Sequence, residues 1–152
     1  MIQVWRICRA EVASEAFSGR GAAEFPGRWN SKGTHVVYCA QSLSLAALEY
    51  LVNLDEYEVP ASLVAIPCEI PGDIARHALE HLPSDWAKPK APPSTQRLGS
   101  DWVVSCRSAV LSVPSAVIPS ERNYLLNPVH AKFKRIRIGE PEPFYFDPRL
   151  RK

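Results

Sequence analysis

One helix-forming segment does most to limit how this chain can fold. From Ser42 to Leu54 the residues are mostly Leu, Ala, Val and Tyr, and Glu49 is the single charged side chain between His35 and Asp55. A helix apolar on nearly every side must be covered, so this one is expected at the centre of the fold. Ser42 or Ser44 is placed to cap it. Short runs with strand character surround it. Residues 2–8 alternate polar and apolar side chains, and Thr34–Ala40 follows the turn signal Ser31-Lys32-Gly33. Residues 62–70 give a third strand, in which Pro67 predicts an edge position or a bulge. Ala109–Val113, Phe133–Ile138 and Pro143–Phe146 complete the predicted strands.

Between these runs, residues 10–27 are rich in Ala, Gly and Ser and read as an irregular loop. A short helix is expected over Ile74–Leu82, and another from Ser94-Thr95 through Cys106. The proline-rich stretch Lys88–Pro93 fits neither a helix nor a central strand and is a connector. No repeat and no domain boundary is visible, so residues 1–152 are read as one domain. Regular strand–helix–strand alternation is missing, which excludes a doubly wound fold. The expected class is α+β (mixed α/β), with a mixed, mostly antiparallel sheet flanked by helices.

A chain of 152 residues with 46% hydrophobic and 22% charged residues can bury a real core. A formal charge of +2 is too small for a nucleic-acid groove. The late basic residues, Lys132, Lys134, Arg135 and Arg137, then Arg149, Arg151 and Lys152, are read as a solvated strand edge and tail. Cys8, Cys39, Cys68 and Cys106 are widely spaced and each sits in an apolar run. They fit small buried hydrophobes in a reducing compartment better than a zinc site or disulfides. The N-terminus begins in strand-like sequence, and no stretch approaches the ~20 apolar residues needed to cross a bilayer. A cytoplasmic protein without membrane association is expected.

Three polar residues stand in small or apolar surroundings: Arg28 in Gly27-Arg28-Trp29-Asn30, Glu49 in the helix, and Ser115 in Val113-Pro114-Ser115-Ala116. Such a side chain is costly to bury unless it is paired or used. Arg28 is either a surface arginine packed on Trp29 or a guanidinium fork displayed to a phosphate or carboxylate. Arg6, beside Trp5, is either half of a structural ion pair or a second inward-pointing arginine. Glu49 either faces water or is held in a cleft, and Tyr38, ending the preceding strand, is either core or its neighbour. Ser115 lacks the G-x-S-x-G frame, and no His or Asp stands where a triad would place it, so a serine hydrolase is poorly supported. Asn123 and Asn127 read as turn formers or amide hydrogen-bonders, with turns favoured. His77 and His81 are four apart but lack the rest of a zinc-helix motif, so no metal is expected.

Taken in order, Trp5-Arg6, Gly27-Arg28-Trp29-Asn30, Val37-Tyr38, Leu48-Glu49-Tyr50-Leu51, Val113-Pro114-Ser115-Ala116, Asn123–Pro128 and Phe146–Leu150 resemble the RES-domain family. Its members are toxins paired with Xre-like antitoxins. The pieces run from one end of the chain to the other. The family's Arg, Glu and Ser fall on Arg28, Glu49 and Ser115, with Ser120 a rival for the serine. The resemblance implies a fold similar to ADP-ribosyltransferases and cleavage of the nicotinamide–ribose bond of NAD, as glycohydrolase or phosphorylase. NAD is then a substrate, and no resident cofactor is expected. It further implies that Glu49 stabilises a cationic ribosyl transition state and that Arg28, helped by Arg6, holds a pyrophosphate or an attacking phosphate. Tyr38 and Asn127 would contact the substrate, and Ser115 would position rather than attack.

Two other functions remain open from the sequence. A mono-ADP-ribosyltransferase would use the same NAD site with a protein acceptor. Transferases of this broad class often carry a second acidic residue two positions before the glutamate; Ala47 stands there, which leans towards water or phosphate as acceptor. A non-catalytic module binding an anion or nucleotide through the arginines would leave NAD intact. Direct nucleic-acid binding through the late basic stretch is not expected.

Overall fold

The computed structural model describes residues 1–55, 62–79 and 81–150. Among them, β1 (Ile2–Arg9), β2 (Val37–Ala40), β3 (Leu63–Ile70), β4 (Arg76–Ala78), β5 (Val110–Pro114), β6 (Arg122–Leu126), β7 (Arg137–Ile138) and β8 (Glu142–Phe144) join one sheet. Its order is β4-β5-β6-β2-β1-β3-β7, with β8 also paired to β3. Only β4 and β5 run parallel; every other pairing is antiparallel. The helices are α1 (Arg20–Glu24), α2 (Leu43–Val52) and α3 (Pro93–Ser105). The class is therefore α+β with a mixed, mostly antiparallel sheet.

The sheet is nearly two half-sheets. β1 and β3 pair along their full length, from Ile2 opposite Ile70 to Arg9 opposite Leu63, whereas β1 meets β2 at the single pair Trp5 and Ala40. Strand alternation divides the core between the two faces. On one face Val4, Cys8, Val37, Cys39, Ile66, Cys68 and Leu126 pack beneath Phe17, Ile74 and Ile136. On the other, Ile7, Ala40 and Ala65 lie under Leu45 and Ala46 of α2, while Leu111, Val113 and Leu125 lie under Trp29 and the α3 residues Trp102 and Val103. The two helices thus share a face but seal separate clusters.

Ser42 caps α2 by accepting the Leu45 N–H at 3.1 Å. The helix is not central, however. Leu45 and Ala46 are buried, but the following turns are only partly covered and Val52 is exposed. A single sheet face can cover only one side of a helix, and the remaining apolar surface meets Phe144 and Phe146 through Tyr50. Pro67 is not on an edge strand. It sits where the outer side of β3 passes from β8 (pairing residues 63–65) to β7 (pairing residues 68–69), and its carbonyl accepts Gly139 N–H at 2.8 Å. Within a strand residue the C=O and N–H point the same way, so the missing N–H of proline falls in that gap.

Other segments also depart from expectation. The predicted helix 74–82 is replaced by a turn and the short strand β4, which adds to β5 and continues through Leu79 N–H on Ser112 C=O at 3.3 Å. Residue 80 lies outside the described residues. Phe133–Arg135 forms a 3-10 turn before the two-residue β7, and the supposed loop 10–27 holds a 3-10 turn (Ala10–Glu15) and α1. Cys8, Cys39 and Cys68 are buried, but Cys106 is exposed, ending α3 in a left-handed conformation (φ 50°). In the basic stretch, Arg135 pairs with Asp73 at 2.6 Å and Arg137 with Glu69 at 3.7 Å, which removes half of its charge. Arg149 pairs with Asp147; Arg151 and Lys152 lie outside the described residues.

Candidate active site

Glu49, Ser115 and Asn123 come together although 66 and 74 residues separate the first from the other two. The Ser115 hydroxyl donates to Glu49 Oε1 at 2.6 Å, and the Asn123 amide donates to the same oxygen at 2.7 Å. Strand register brings them there. Trp5, Ala40 and Asn123 form one row across β1, β2 and β6, with Val113 next on β5. Ala40 packs under α2, so Asn123 beside it points at the helix that carries Glu49. Ser115 follows β5 directly and opens the turn to β6. Its Oγ also accepts the N–H groups of Val117 and Ile118, each at 3.0 Å, and its N–H donates to Glu121 C=O at 2.9 Å. Ser115 is completely buried with its hydroxyl fully engaged, so it holds Glu49 and is not displayed as a nucleophile. Ser120 lies exposed at the tip of the turn and is not the serine on Glu49.

The second group is built on the loop before β2. Asn30 is completely buried and organises it: its Oδ1 accepts Gly27 N–H at 2.8 Å and the Tyr38 hydroxyl at 2.7 Å, and its Nδ2 donates to Ala22 C=O at 2.7 Å and Thr34 C=O at 3.1 Å. Tyr38 Oη in turn accepts Trp29 N–H at 2.9 Å. Burial pushes this phenol well above its ordinary pKa, against the smaller opposing effects of the Trp29 N–H and the Arg28 charge. With both hydrogen-bonding roles filled, Tyr38 fixes the loop and leaves only its ring for a substrate.

α3 clamps the same loop from outside. Thr95 Oγ1 donates to Arg28 C=O at 2.7 Å, and Gln96 Nε2 donates to Gly27 C=O at 3.1 Å. Gly99 lies so close that a Cβ there would stand 2.6 Å from the Trp29 carbonyl carbon. The Arg28 guanidinium donates through Nη1 to the carbonyls of Trp86 (2.9 Å) and Lys88 (2.7 Å), and through Nη2 to Pro89 C=O (3.3 Å). Arg28 thereby pins the proline-rich connector. Its acceptors are neutral, so its charge is not cancelled, and its Nε–H makes none of these bonds.

Arg6 reaches the seam between the half-sheets and donates from Nη1 to Tyr38 C=O at 3.0 Å. Its Nε is buried without a hydrogen-bond partner. Among the described residues five other arginines pair with carboxylates, whereas Arg6 and Arg28 pair with none. Tyr38 links the two arginines, binding Arg6 through its carbonyl and the Arg28 loop through its hydroxyl. Two residues along β2 from Ala40, it lies about 7 Å from the row of Asn123 on the same face.

The remaining sequence candidates belong elsewhere. Asn127 is completely buried, donating to Val103 C=O at 3.1 Å and accepting Val129 N–H at 3.2 Å, so its amide ties α3 to the turn after β6 and does not line this site. The reading of Asn123 as a turn former is corrected: it is a mid-strand residue whose amide binds the glutamate. The role of Asn30 in organising the loop is not legible from its residue type; its place directly after Trp29 is the one local signal the sequence offers. His77 is in β4 and His81 follows it, and among the described residues no group of three metal-binding side chains occurs. A cavity of about 320 Å³ beside His81, Arg97 and Asp101 is lined by none of Arg6, Arg28, Tyr38, Glu49, Ser115, Asn123 and Asn127.

The chain belongs to the RES domain family, whose model matches residues 3–147. Among its relatives is a protein named Toxin Res from Yersinia enterocolitica, 35% identical over 152 residues, covering 99% of this chain and all of that one. Another, named Prs ADP-ribosylating toxin, from a Sphingobium strain, is 36% identical over 152 residues, covering 96% of this chain and 94% of that one. In fold the chain is similar to a protein in the solved M. tuberculosis MbcT–MbcA toxin–antitoxin complex, with a TM-score of 0.75 and 16% identity, over 94% of this chain and 84% of that one. No helix among the described residues is long and apolar enough to cross a membrane.

Proposed function

We propose that this chain is the toxin of a toxin–antitoxin pair and that it breaks the nicotinamide–ribose bond of NAD, arresting growth unless an antitoxin covers the site. The observation that carries this reading is the Glu49 carboxylate, oriented by Ser115 and Asn123 but paired with no cation among the described residues. Such a group is prepared for positive charge that appears only during a reaction. Nicotinamide leaves NAD as a neutral base, taking the C–N electron pair, and the ribose carbon becomes cationic. No strong general acid is needed, unlike ordinary glycoside hydrolysis. Preorganised negative charge beside the forming cation is the useful contribution, and Glu49 supplies it.

Arg6 and Arg28 serve the anionic part of the substrate. A guanidinium with a buried, unpartnered N–H gains a hydrogen bond when a phosphate arrives. Water attacking the ribosyl cation gives ADP-ribose and a proton; phosphate attacking gives a phosphorylated ADP-ribose. The NAD pool places this activity in the cytoplasm. The toxin names of the relatives and the partnered state of the MbcT structure support an antitoxin partner, and an Xre-like protein is the one proposed.

A second reading, transfer of ADP-ribose to a cellular protein, is favoured by the name of the Sphingobium relative. The test is NAD incubated with purified chain, with and without phosphate, followed by identification of products. Free nicotinamide with ADP-ribose, or with phosphorylated ADP-ribose, supports the proposal and identifies the acceptor. NAD consumed only when cell extract is present, with label on protein, supports transfer. NAD intact in every case overturns both and leaves a binding module.

A further inference from the structure

We infer that Asn123 is a positioning residue for Glu49, and that Glu49 Oε2 is the oxygen that faces the reacting centre. The inference rests on the proposed role of Glu49 and adds to it the residue that aims it. Both donors, Ser115 Oγ at 2.6 Å and Asn123 Nδ2 at 2.7 Å, converge on Oε1, and Oε2 receives no hydrogen bond from the described residues. The terminal torsion of a glutamate is otherwise broad, and an unrestrained carboxylate samples many orientations. Two charge-assisted bonds on one oxygen select a single orientation. Both donors are neutral, so they aim the carboxylate without cancelling its charge.

Asn123 is suited to this by its setting. Its backbone is held in register from both sides, opposite Ala40 on β2 and Val113 on β5, so the amide projects from a rigid strand. Ser115 is equally fixed, by three backbone hydrogen bonds. Glu49, by contrast, lies in the less covered half of α2, where a long side chain gains most from external restraint.

The test is a mutant cycle on NAD turnover with Asn123→Ala, Glu49→Gln and the double variant, together with Asn123→Asp, which keeps the shape of the side chain but replaces the donor. Asn123→Ala is expected to lower kcat about tenfold to thirtyfold, with KM within about twofold of wild type, because the lost contact acts on the transition state. Asn123→Asp is expected to lose at least as much, since a second carboxylate repels Glu49. In the Glu49→Gln background, Asn123→Ala should cost less than about threefold, because a positioning residue has nothing left to aim. A structural role would instead give the same loss in both backgrounds. Wild-type kcat in both Asn123 variants, a change confined to KM, or independent effects in the double variant would overturn the inference while the proposed function stands. NAD left intact by the wild-type chain under every condition would overturn the proposed function and this role together.

Discussion

Replacing Ser115 by alanine separates a serine that holds the site from one that reacts. The hydroxyl makes three hydrogen bonds within a fully buried position: one donated to Glu49 at 2.6 Å and two accepted from the Val117 and Ile118 N–H groups at 3.0 Å. Alanine leaves those two backbone donors without their acceptor and removes one charge-assisted bond to a carboxylate. Loss of a buried partner costs about 1–3 kcal/mol, so the combined effect here is about 2–4 kcal/mol. In a domain of this size each kcal/mol shifts Tm by about 2–4 °C, giving a fall of about 5–15 °C. NAD turnover should fall about tenfold to a hundredfold, because Asn123 still holds Glu49. The assay is thermal unfolding by circular dichroism beside NAD turnover measured below the variant's Tm. A variant that melts within 1 °C of wild type would refute the hydrogen-bond account. Complete inactivity with unchanged Tm would point to a reacting serine.

Two further perturbations probe the frame around the site. Gly99→Ala should destabilise by about 1–3 kcal/mol or more, because the new Cβ overlaps the backbone of Trp29 and neither rigid element can retreat easily; thermal unfolding measures it, and an unchanged Tm would contradict the close approach. Of the four thiols only Cys106 should react with a thiol reagent in the native protein at neutral pH, and all four after denaturation, as mass spectrometry would show. Burial raises the pKa of the other three, that of Cys68 to about 12. Because these pKa values are higher in the folded state, their stabilising contribution is complete below the ordinary thiol value of 9.0 and is lost as pH rises towards about 12, so stability should fall across that alkaline range.

The elements that could be read from sequence were those whose pattern is local. β1 begins with alternating side chains, β3 is a short, nearly continuous apolar run, and α2 has both a serine cap and a mostly apolar sequence. The three residues of β4 carry too little periodicity to mark a strand, and only the neighbouring β5 makes them one. Composition records how apolar α2 is and not how much of it the sheet can cover, so its depth is not legible from sequence. Arg28, Glu49 and Ser115 stood out as polar residues in apolar settings, but their connections did not. That Ser115 and Asn123 share one oxygen of Glu49 depends on a strand register set by residues far away in the chain. For the same reason Asn123 and Asn127, four residues apart and chemically identical, could not be told apart: one faces α2 and the other the end of α3. The carbonyl cage around Arg28 comes from a connector some sixty residues away.

The most direct test of the account compares nicotinamide release from NAD by the wild-type chain and by Glu49→Gln. The amide keeps the size of the side chain and an oxygen for Ser115 and Asn123, and removes only the charge. Release is expected from the wild type, with a loss of about 10²–10³-fold in kcat for the variant and a Tm within a few degrees of wild type. A Glu49→Gln protein that releases nicotinamide at the wild-type rate would contradict the claim that this carboxylate drives the reaction.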